Sequence, residues 1–188
     1  MSILSDQERE HVALGAAVGA GCRPCTQYHV KAAIRSGLTH EDIREDVEEA
    51  EVVRIDAAMS IAVYARGLTG VSAKHESAVC SPTSRSRALV QVGAATGANA
   101  GHLLDVLLPQ ARGLGLADEA LAEAVAVASK VKDVAGNFFA KDVERALTSR
   151  EAVAATPDAG GCTQTEGPAD QLVSAAAAGE QPSKSGCC

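Results

Sequence analysis

Tryptophan is missing from this chain, and Phe and Tyr together make up only 2% of its 188 residues. A core must therefore be built from Ala, Val, Leu and Ile. Such a composition favours helix over strand, because Ala is the best helix former and strands draw on bulky or β-branched side chains. Basic residues are also scarce: 17 Lys and Arg stand against 24 Asp and Glu, a net charge of −7. That balance, with so few aromatic platforms for stacking bases, argues against a nucleic-acid partner. No apolar run reaches the roughly 18 to 20 residues that a membrane span requires, so no membrane partner is expected. The opening MSILSDQERE is charged by its sixth residue and does not read as a secretory signal. A cytoplasmic protein is the expectation. Its six cysteines are then read as reduced, redox-active or metal-binding thiols rather than as a disulfide framework.

What is present is 46% hydrophobic, enough to bury a core of one domain or two small ones. Ser5-Asp6-Gln7-Glu8 is a capping-box pattern and predicts a helix from about Asp6 to about Ala20. A second helix is expected over 22–36, stopped by Gly37. Thr39 and Asp42 open a third, whose apolar Ile43, Val47 and Ala50 share a face and whose length suggests one break before Leu68. The acidic run from Glu45 to Glu51 reads as its solvated side. A Gly/Ser/Pro-containing connector follows over 71–84.

Residues 85–148 then echo the first segment at an offset that starts at 76 and becomes 78. Gly97 falls on Gly21, Gly115 on Gly37, Leu116 on Leu38 and Leu121 on Ile43. The expectation is an all-α fold of two degenerate helical repeats, 1–70 and 85–148, with Pro109 kinking a helix of the second. From 149 to 188 the composition turns to Ser, Thr, Gly, Pro and Ala, which predicts a disordered tail. It carries Cys162 and ends Gly-Cys187-Cys188, thiols that are candidates for passing electrons or holding a soft metal ion.

The segment that carries chemistry is Cys22-Arg23-Pro24-Cys25-Thr26-Gln27-Tyr28-His29. Two sulfurs three positions apart at a helix start can close a disulfide, and the free N–H groups there favour a thiolate. Pro24 suits the first turn. His29 lies one turn beyond Cys25, on the same face, where a base activates a nucleophilic thiol. Zinc would need four ligands, and Cys22, Cys25 and His29 supply three. Cys80 is distant, in the connector, so no metal is assigned. A thioredoxin-type reading fails because no strand precedes the motif. Gly15, Gly19 and Gly21 spell GxxxGxG, but also with no strand ahead of them. They read as close helix contact, and no cofactor is expected. His11 is given a surface or packing role, Tyr28 and Tyr64 core or rim roles, and His75 and His102 no partner.

CxxCxxxH in a small, Ala-rich, internally repeated helical unit resembles the alkylhydroperoxidase D-like branch of the carboxymuconolactone decarboxylase family. The family's signature adds a Glu twelve residues before the first Cys, which is Glu10 here. The resemblance implies a thiol-dependent peroxidase or disulfide oxidoreductase of antioxidant defence. It acts on a hydroperoxide or disulfide and is recharged by an external dithiol. By the same resemblance Cys25 is the peroxidatic thiolate and Cys22 its resolving partner. His29 takes the Cys25 proton and Glu10 holds or relays to His29. A homo-oligomer, trimer or hexamer, is implied as well. The family's two-copy peroxidase has a second His between its cysteines, where this chain has Pro24. In the second repeat, Ala98, Gly101, Asp105 and Ser86 are expected where the first has Cys22, Cys25, His29 and Glu10. That repeat is expected only to pack. The alternatives are a thiol-based redox sensor or soft-metal module, and a lyase of the decarboxylase branch.

Overall fold

The computed structural model describes residues 3–72 and 74–154, with side chains as far as Thr148. Residues up to Arg145 form one compact unit, divided from the chain that follows. Six helices and no strand occur among the described residues: α1 (Asp6–Gly19), α2 (Arg23–Ser36), α3 (His40–Leu68), α4 (Arg85–Gly97), α5 (Gly101–Gly113) and α6 (Asp118–Ala154). The all-α expectation holds. Helix α6 continues past the boundary expected at 148. The rest of the expected tail, with Cys162, Cys187 and Cys188, lies outside the described residues.

The helix starts follow from local chemistry. Ser5 and Glu8 form the expected reciprocal box, each satisfying the other's free backbone N–H, and Thr39 with Asp42 repeats it on α3. Gly37 ends α2 at φ +97°, a conformation a side chain resists. The expected break in α3 does not occur: it runs unbroken for 29 residues, and α5 runs on through Pro109. Packing against neighbours over the first half of α3, where Ile43, Ala50 and Val53 are buried, supplies what local propensity lacks.

The centre of the 1–145 unit is the α1–α4 pair, which packs backbone against backbone. A Cβ on Gly15 would stand 2.4 Å from the Val90 carbonyl oxygen, and one on Gly93 2.2 Å from that of Val12. Gly19 meets Ala94, and Gly97 meets Ala16, in the same way. The close-contact reading of Gly15 and Gly19 is therefore correct. Gly21 does something else. It turns the chain between α1 and α2 at φ +66°, with the Arg54 guanidinium against it.

These contacts are reciprocal under a constant shift of 78 residues: Val12–Gly93 answers Gly15–Val90, and Ala16–Gly97 answers Gly19–Ala94. Asn99, at φ +60°, stands where Gly21 does. Lys132, which donates to Asn99, stands where Arg54 does. The 76-residue offset read from sequence is thus wrong for the first part. The positions corresponding to Glu10, Cys22, Cys25 and His29 are Ala88, Ala100, Leu103 and Leu107, all buried and apolar. They are not Ser86, Ala98, Gly101 and Asp105. A two-residue slip had matched glycines that serve different purposes.

Candidate active site

Cys22 is the N-cap of α2. Its backbone is extended (φ −91°, ψ 100°), and its sulfur accepts the Cys25 N–H at 3.2 Å. Gly21 permits the tight turn that brings the chain there, and Pro24 occupies the first turn, where no N–H is needed. The two sulfurs are joined in a Cys22–Cys25 disulfide with Cα atoms 5.3 Å apart. Both cysteines are buried. This is the oxidised form of the pair, and in it the Cys22 sulfur sits against a backbone donor at the positive end of a helix.

One turn on, His29 Nδ1 lies 3.0 Å from Glu10 Oε2 on α1. A carboxylate oxygen accepts, so in the neutral ring Nδ1 carries the hydrogen and Nε2 keeps its lone pair. Both side chains are mostly buried, at 16% and 22% exposure. Tyr28 is exposed at the rim, with its ring edge-on to His29 at 5.0 Å between centroids.

Cys25 and His29 open on one cleft of about 400 Å³. Its opposite wall is not in the first three helices. It is α6, through Lys130, Val131, Val134 and Phe138. A second cleft of about 450 Å³ reaches Cys22, and Lys132, Phe138, Phe139 and Asp142 of α6 face it. The later segment, expected only to pack, therefore forms one side of both approaches to the disulfide. The spacing of Val131, Val134 and Phe138 marks them as one helix face, but nothing in the sequence says that this face meets α2.

Residues 2–69 match the carboxymuconolactone decarboxylase family. The matched segment spans α1 to α3 and contains Glu10, Cys22, Cys25 and His29, so the family's unit is the part of the chain that holds the cysteine pair. No curated protein and no solved structure matches the chain.

Two histidines have partners that the sequence did not suggest. His11 is buried, not on the surface, and its Nδ1 lies 2.7 Å from Asp46 Oδ2. Asp46 thus departs from the solvated side expected for the acidic run. Burial pushes its carboxyl up, opposed by the His11 hydrogen bond. His75 Nε2 lies 2.8 Å from Asp56 Oδ1. Among the described residues, no cluster of three or more His, Cys, Asp or Glu is placed to hold a metal ion, and no helix is long and apolar enough to cross a membrane.

Proposed function

We propose that this protein is a thiol-dependent oxidoreductase that reduces hydroperoxides through Cys25 and Cys22. The observation carrying the reading is the placement of a carboxylate-held imidazole and one sulfur of a closed disulfide on the same cleft. Glu10 fixes the ring, leaving Nε2 as the free base. In the reduced protein His29 takes the Cys25 proton. The thiolate attacks the terminal peroxide oxygen, the O–O bond breaks, an alcohol leaves, and Cys25 becomes a sulfenic acid. The Cys22 sulfur then attacks Cys25, water leaves, and the disulfide forms. An external dithiol returns both sulfurs to thiols. Besides Cys25, Tyr28, His29 and Lys130, the cleft is lined by the apolar Pro24, Val131, Val134 and Phe138, with no carboxylate among its described walls, which suits an organic hydroperoxide.

The test is a stopped-flow trace of reduced protein mixed with cumene hydroperoxide, with thiols counted before and after. Two thiols should be lost per peroxide consumed. Cys25→Ser should abolish consumption, and Cys22→Ser should consume one equivalent and stall. Equal turnover by Cys25→Ser and the parent would overturn the reading. Peroxide inertness of the parent, with conversion of a γ-carboxymuconolactone instead, would move the protein to the lyase branch.

The same reading includes self-association. Ile55, Met59, Tyr64 and Leu68 leave apolar side chains exposed along the second half of α3, and a second copy of the chain is the partner they suit. Sedimentation equilibrium of the parent and Met59→Asp tests this; a monomeric parent would remove it.

A further inference from the structure

The shift of 78 residues that relates α1 to α4 also relates two clefts. Pro24, Cys25, Tyr28 and His29 of α2 face Val134 and Phe138 of α6. Their counterparts His102, Leu103, Val106 and Leu107 of α5 face Asp56 and Ser60 of α3, around a cleft of about 310 Å³. The chemistry has changed sides. At the first cleft the second helix of the set is reactive and the third is apolar. At the other, the second helix offers an apolar floor and the third offers a carboxylate and a hydroxyl. Connector residues His75, Ser77 and Val79, with Gln110 of α5, complete this wall.

Asp56 is 1% exposed. Its Oδ1 is held twice, near His75 Nε2 at 2.8 Å and by the Ala78 N–H at 2.8 Å. Its Oδ2 is buried and has no hydrogen-bond partner among the described residues. Burying a carboxylate oxygen without a donor is costly. Packing does not require an acid there, since the corresponding position holds Val134. Anchoring the connector explains Oδ1, and also the bond that Gln110 Nε2 donates to Ser81 Oγ at 3.1 Å, but it leaves Oδ2 unexplained and has no use for Ser60 or His102. No Lys or Arg lines this cleft among the described residues, so none of them brings a cationic donor to Oδ2.

We propose that this second cleft binds a small organic cation, a primary ammonium on a short hydrocarbon chain. The ammonium supplies the donors and charge that the buried Asp56 lacks, and the chain lies on Leu103, Val106 and Leu107. Ser60 and Gln110 are the polar neighbours that hold the remaining ammonium hydrogens. This site shares no residue with the Cys22–Cys25 cleft, and the inference does not rest on the peroxidase reading.

The test uses full-length protein with labelled histidine rings, titrated at neutral pH with n-butylammonium chloride and, separately, with butan-1-ol. The ammonium should shift the His75 and His102 ring signals saturably and leave His29 unmoved, while the alcohol should not. Asp56→Asn keeps the shape and should weaken binding at least tenfold. Ser60→Phe copies the residue at the corresponding position, should fill the cleft, and should abolish the shifts. It decides the matter if Asp56→Asn fails to fold. Equal shifts from the alcohol, shifts that persist in both variants, or no shift with the ammonium would each overturn the proposal. So would a response to zinc ions in place of the amine.

Discussion

His29 shows how one side chain's task depends on another far away in the chain. Its Nδ1 is committed to Glu10 at 3.0 Å, which orients the ring and leaves Nε2 facing away from the carboxylate. Replacing His29 by Ala is expected to slow peroxide consumption by roughly 10² or more, the loss expected for a positioned base. A rate within twofold of the parent in the stopped-flow assay would remove it from the mechanism. A second buried pair, His11 and Asp46, makes a different prediction. Burial pushes the Asp46 carboxyl above its ordinary 3.8. A group raised in the folded state binds its proton more tightly there than in the unfolded chain. Its effect on stability is therefore most favourable at low pH and diminishes as pH rises through the raised value. Asp46→Asn keeps an oxygen for His11 and removes the titration. The variant's stability should fall less between pH 3.8 and neutrality than the parent's, as measured by thermal unfolding across that range.

At the scale of the helix pair, glycine acts by what it leaves out. In an isolated helix Gly→Ala is stabilising by about 1 kcal/mol. At Gly93 the added carbon would stand 2.2 Å from the Val12 carbonyl oxygen, and backbone cannot swing aside as a side chain does. Gly93→Ala is expected to cost about 1–3 kcal/mol, the range for overpacking. Gly67→Ala, with nothing within 4 Å, should leave stability unchanged or raise it by up to about 1 kcal/mol. Urea unfolding of both variants checks the contrast. Sequence had suggested close helix contact from the Gly15 and Gly19 spacing, and the capping boxes and Gly37 placed the helix ends within a residue or two. It could not show that Gly21 and Asn99 occupy the same left-handed turn, because matching by residue type favoured a glycine over an asparagine.

At the scale of the whole 1–145 unit, each of the two clefts takes a wall from a helix distant in the chain. Helix α6 walls the Cys25 cleft, and α3 walls the corresponding cleft beside α5. The family match stops at residue 69, yet Phe138 faces both approaches to the disulfide. Phe138→Ala is expected to raise KM for cumene hydroperoxide roughly tenfold, the scale of a lost apolar contact, while turnover of hydrogen peroxide stays within about twofold. Equal effects on the two peroxides would remove Phe138 from substrate contact.

The all-helical class, the ends of the first two helices and the start of the third, and the line from Cys22 through Cys25 to His29 could be read from the chain alone. All of these follow from spacings of a few residues, where caps, turns and helical periodicity act. Glu10 was reachable only through a resemblance, since nothing local links α1 to α2. That the shift is already 78 between α1 and α4, the Asp46 and Asp56 pairings and the α6 wall emerged only with the folded molecule. Those are contacts between side chains far apart in the chain, chosen by how helix surfaces fit together, and fit is a property of two surfaces that no single stretch of sequence contains.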